Sequence, residues 1–129
     1  MQAIPPGAEP APIVQKVYEA TLWLIPKVGR FPRTHRFTIG DRIANLSIEL
    51  LETLAAAAYS QRQRGALLDK ASQQLNGLRY LLRLAKDVGV LSVDSYGHAS
   101  GLLEEIGRML GGWQKFEMRG KPSAESQGK

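Results

Sequence analysis

Apolar residues recur at steps of three and four along most of this chain, and four segments hold the pattern long enough to be helices. The first opens near Pro12, a residue favoured at the first helical position, and sets Ile13, Val17, Ala20 and Leu24 on one face with Val14, Tyr18 and Ile25 beside them. Pro26 is expected to kink or end it, because proline removes an intrahelical donor and crowds the carbonyl four residues back. The second segment starts where Thr38 precedes Asp41 by three residues, a spacing that resembles a capping box. It runs through Ile39, Ile43, Leu46, Leu50 and Leu54 (or Ala57) to about Ser60. The third, from about Gly65 to Val88, places Leu68, Ala71, Leu75, Leu78, Leu82 and Ala85 at unbroken helical steps, with Gly89 as its stop. Ser92 caps the fourth, which carries Tyr96, Ala99, Leu103, Ile106, Leu110 and Trp113. No period-two pattern competes with these readings.

Four amphipathic helices joined by short links, only the stretch from Gly29 to Phe37 being somewhat longer, predict an all-α, antiparallel, up-down-up-down four-helix bundle. The core stripes do not use all the apolar residues. Leu81, Leu84 and Val88 fall on a second face of the third helix, and Leu102, Met109 and Phe116 on a second face of the fourth. Such faces are seldom left wet, so the bundle is expected to assemble into a ring-like homo-oligomer. Glycines 101, 107, 111 and 112 each cost a helix about 1 kcal/mol relative to alanine. Either Gly107 and Gly111 admit a neighbouring helix at close range, or Gly111 and Gly112 end the fourth helix.

Length limits the chain to one module: 129 residues support one core but not two. The proline-rich start and the polar end read as disordered tails, over 1–11 and 119–129, around a bundle at 12–118. No apolar run approaches a membrane span, and the N-terminus lacks the basic start and apolar stretch of a signal peptide, which predicts a cytoplasmic protein without a membrane partner. Cysteine is absent, which removes disulfides, thiolate metal ligands and cysteine nucleophiles. His35 and His98 lie far apart, and neither has a second ligand at helical spacing, so no metal or other cofactor is expected. Glu104 and Glu105 point about 100° apart on one helix, Glu49 and Glu52 fit surface positions, and no catalytic motif is present; the chain reads as non-enzymatic.

Charge points the other way, towards a partner. Seventeen Lys and Arg face twelve Asp and Glu, a formal charge of +5 that favours a polyanion. On the third helix Arg79, Arg83 and Lys86 fall within about 60° of one another and read as a ridge of unneutralised charge, or else as a solvated face. Arg30, Arg33, Arg36 and Arg42 crowd the second connection, with Phe31, His35 and Phe37 interleaved. Guanidinium groups match phosphate oxygens and exposed rings stack on unpaired bases; alternatively the two phenylalanines plug the end of the bundle.

The segments FPRTHRFTIGDRI (31–43), LRYLLRLAKDVGVLS (78–92) and EIGRMLGGW (105–113) resemble the accessory variability determinants of diversity-generating retroelements. These belong to a wider four-helix-bundle family that includes proteins encoded within intervening sequences of large-subunit ribosomal RNA. The resemblance covers roughly residues 12–116. It implies a homopentamer with a basic surface that binds a reverse transcriptase and its template RNA, or other nucleic acid, during mutagenic cDNA synthesis. Carried over by position, Arg79 and Arg83 are the implied RNA or polymerase contacts. Arg36, Arg42 and Arg108 lie in the other two motifs and fit either binding or packing. The alternatives are a bundle of the ribosomal-RNA intervening-sequence type, or a purely structural oligomer whose charge only aids solubility.

Overall fold

The four apolar stripes become four helices in the computed structural model, which describes residues 11–120: α1 (Ala11–Gly29), α2 (Asp41–Tyr59), α3 (Arg64–Asp87) and α4 (Val93–Gly120). No strand occurs among the described residues, in keeping with the expected all-α class. Apart from Ala11, Arg119 and Gly120, which are helical, the expected tails lie outside the described residues.

Each helix packs on its neighbours in sequence, and α4 returns to α1. Contacts along the seams set an antiparallel register. Between α1 and α4, Lys16 pairs with Glu105 at 3.4 Å, and Trp23 lies 4.6 Å from His98 between ring centroids. Between α3 and α4, Gln114 donates to Asp69 and Arg79 donates to the Leu103 carbonyl. The Thr21 hydroxyl reaches the Ser47 carbonyl across α1 and α2. In both seams of α4 one number rises as the other falls; Arg64 reaches Ala57 while Gly77 faces Leu46 between α2 and α3, and Gly40, just before α2, faces Val28 of α1, so the helices run up-down-up-down.

The residues chosen by helical spacing fill the centre. Leu68, Ala71, Leu75, Leu78, Leu82 and Ala85 of α3 are all buried, as are Ala99, Leu103, Ile106, Leu110 and Trp113 of α4. On α2 the stripe is rotated slightly. Ile39 and Leu46 are only half-buried, while Ser47 and Thr53 take buried positions. Ser47 tolerates this because its hydroxyl donates to the Ala44 carbonyl at 2.9 Å.

Local signals held at the α3–α4 turn, whereas Thr38 does not cap its helix and neither Pro26 nor the Gly111–Gly112 pair ends one. Gly89 takes φ +90°, the left-handed conformation that closes α3, and the Ser92 hydroxyl accepts the Ser95 amide at 3.0 Å as the cap of α4. Pro26, by contrast, does not end α1, which runs on to Gly29. Pro26 and Leu22 four residues earlier are both exposed, so the carbonyl that loses its donor faces water. Thr38 is not a cap either. Helical structure begins at Arg33, after Pro32, as one turn (Arg33–His35) followed by a π-helical turn (Arg36–Gly40) that leads directly into α2. Thr38 sits inside it and donates back to the carbonyls of Thr34 and His35. Gly111 and Gly112 do not stop α4, which passes through both.

Candidate nucleic-acid interface

Basic side chains gather at the end of the bundle where α1 finishes and α2 begins. The π-helical turn lies against the end of α1, and Gly40 is buried there: a Cβ on it would stand 2.9 Å from Val28 Cγ1 and 3.4 Å from Phe31 Cδ2. This close crossing seats Phe31 in the core and leaves Phe37 outside, 59% exposed. The two readings of the aromatics therefore divide: Phe31 plugs the bundle and Phe37 faces outward. Arg36 straddles them, donating to the Gly29 carbonyl at 3.3 Å while its guanidinium lies 5.0 Å from the Phe37 ring centroid. Arg30, Arg33 and Arg42 are exposed and form no ion pair among the described residues. Lys27, in the last turn of α1, lies 5.2 Å from the Trp23 ring centroid.

The α3 ridge differs from the expectation of unneutralised charge. Asp87 lies four residues beyond Arg83 and pairs with it at 3.8 Å, and with Lys86 at 3.1 Å. Lys86 also lies 4.9 Å from the Tyr96 ring centroid. Arg79 is turned against α4, where Nη2 donates to the Leu103 carbonyl and Nη1 to Asn76 Oδ1, each at 3.4 Å. Gly107 makes room for it, since a Cβ there would meet Nη2 at 2.5 Å. The close approach expected at Gly107 is thus made, within the chain, by an arginine side chain. Arg108 is exposed and belongs to neither group, standing on the face of α4 opposite the buried stripe.

Three features were not singled out from sequence. Arg64 is the most engaged arginine of the chain: it donates to the carbonyls of Ala57 (2.7 Å) and Ala58 (3.2 Å), pairs with Glu117 at 3.4 Å and lies over Trp113. It ties the end of α2 to the end of α4. Trp23, His98 and Lys27 form an aromatic and cationic patch on the α1–α4 seam. Tyr18, Leu22 and Ile25 of α1, with Ile48 of α2, leave a further apolar stripe exposed. Of the second faces expected on α3 and α4, Leu81, Leu102 and Met109 instead pack against the core, while Leu84, Val88 and Phe116 remain exposed.

Among the described residues no group of three or more His, Asp or Glu is placed to hold a metal, and no helix is long and apolar enough to cross a membrane. What the fold presents is a basic helical bundle whose polar chemistry suits binding. The family model described as bAvd-like matches residues 12–117, and the chain belongs to that family, the accessory variability determinants whose motifs it resembles. The family is one of accessory proteins associated with diversity-generating retroelements and is not a known catalytic one. No curated protein matches the sequence.

Proposed function

We propose that this protein is a non-enzymatic accessory subunit that binds nucleic acid and partners the reverse transcriptase of a diversity-generating retroelement, in the cytoplasm, during template-RNA-directed mutagenic cDNA synthesis. The observation that carries this reading is the cluster of Arg30, Arg33 and Arg42 at one bundle end, exposed and without carboxylate partners among the described residues, beside the outward ring of Phe37. Phosphates are met by the guanidinium groups and an unpaired base by the ring. Arg36, Arg83, Lys86 and Arg108 extend the basic surface, with Asp87 lowering the contribution of Arg83 and Lys86. The protein acts as a closed homopentamer, in which five copies of a +5 chain steer polyanions from a distance at low salt.

Co-purification with the reverse transcriptase encoded beside it tests the partnership; a polymerase that elutes alone sinks it. RNA binding is tested by titrating labelled oligouridine into wild type and Arg30→Ala/Arg33→Ala at several salt concentrations. Each lost phosphate contact lowers the slope of log affinity against log salt by about 0.7. Superimposable curves rule this end of the bundle out and favour a purely structural role.

A further inference from the structure

Where Arg79 meets α4 there is a cavity of about 290 Å³, lined by Arg79, Leu82, Tyr96, Ser100, Leu103 and Glu104. It lies at the small end of the range for ligand pockets. Its lining joins opposite hydrogen-bonding characters. Arg79 can only donate, and its bonds to Leu103 and Asn76 hold the guanidinium while leaving N–H groups unspent. Glu104, when ionised, can only accept, and it forms no ion pair among the described residues. The two charges share one small cavity without pairing, so a ligand that satisfies both must show acceptors on one edge and donors on another.

Among the nucleobases, guanine has that pattern. O6 and N7 are adjacent acceptors that arginine takes in bidentate fashion. On the other side N1–H and the N2 amino group are adjacent donors, matched to a carboxylate. Adenine lacks both the acceptor pair and the donor pair; uracil has a single ring donor between acceptors. Tyr96 offers a stacked base the face of its ring away from Lys86, and Lys86, which the ring shares with Asp87, supplies part of the charge for an attached phosphate.

We propose that this cavity binds a single unpaired guanine nucleotide, Arg79 taking the O6/N7 edge and Glu104 the N1/N2 edge. The proposal rests on the nucleic-acid reading and adds a base preference that phosphate contacts alone cannot supply.

Calorimetric titration of the intact protein with guanosine, adenosine and uridine monophosphates decides it. Guanosine monophosphate binds about tenfold tighter than the other two, as one bidentate base contact allows. Equal affinities, or no binding of guanosine monophosphate at millimolar concentration, overturn the site. Glu104→Gln folds normally, because the residue is exposed, and lowers the preference while Arg79 keeps the O6/N7 edge; a preference unchanged by it overturns the assignment of Glu104. Oligouridine contains no guanine, so its failure to bind counts against the arginine-rich end, and the mononucleotide titration decides the cavity separately.

Discussion

Gly40 and Gly107 both stand where a side chain would collide, and the collisions differ in kind. At Gly40 the obstacles are the packed side chains of Val28 and Phe31, which have nowhere to go. Gly40→Ala is expected to cost about 1–3 kcal/mol, read from the urea midpoint, as overpacking does. At Gly107 the obstacle is the flexible tip of Arg79. Gly107→Ala gains about 1 kcal/mol of helix propensity and loses a hydrogen bond of similar worth, so its midpoint should barely move while the guanidinium is displaced. Arg64→Ala leaves the carbonyls at the end of α2 and the Glu117 carboxylate without their donor, and should destabilise by about 2 kcal/mol in the same assay. The role of Arg64 was hidden in the sequence because its partners are backbone carbonyls across a turn and a carboxylate 53 residues away. The partner of Arg83 was not hidden, since Asp87 lies one helical turn on and spacing alone places it there.

At the scale of elements, the two suspected caps should behave differently. Ser92→Ala removes the acceptor of the Ser95 amide and should cost about 1 kcal/mol. Thr38→Ala should stay within about 0.5 kcal/mol, because that hydroxyl only donates back to carbonyls of its own turn. Thermal unfolding followed by circular dichroism compares them, and a larger loss at Thr38 would restore it as a cap. This contrast shows what was legible. Helix existence and core stripes follow from a repeated period, so α3 and α4 could be read residue by residue. Where a helix begins depends on where its first amides go, and Pro32 had already started the turn that makes Thr38 an interior residue. The basic positions were readable as types, but whether an arginine faces solvent or a carbonyl is decided by the neighbouring helix.

For the molecule as a whole, exposed apolar area includes Tyr18, Leu22, Ile25 and Ile48 on α1 and α2, Leu84 and Val88 on α3, and Phe116 and Met118 on α4. The proposed closed homo-oligomer would cover at least one of these groups. Light scattering at micromolar concentration should return a multiple of the 14.2 kDa chain, and a monomer mass would refute the assembly. Leu22→Glu and Leu84→Glu, each on an exposed position that leaves the core intact, distinguish the sides: the variant that dissociates marks the buried one.

The π-helical turn at Arg36–Gly40 has a consequence for how this segment tolerates change. A wider turn accommodates one surplus residue locally, so the helix beyond it keeps its phase. Deleting Thr38 should let the turn relax to ordinary α-helix, with α2 still docked through Ile43, Leu50 and Leu54. Residues on either side then keep their bearing, because the wide turn alone had held the surplus residue. Arg33 would keep its exposure and Phe31 its seat in the core. In this segment the turn acts as slack: a one-residue deletion is taken up there and leaves the outlook of the arginines unchanged.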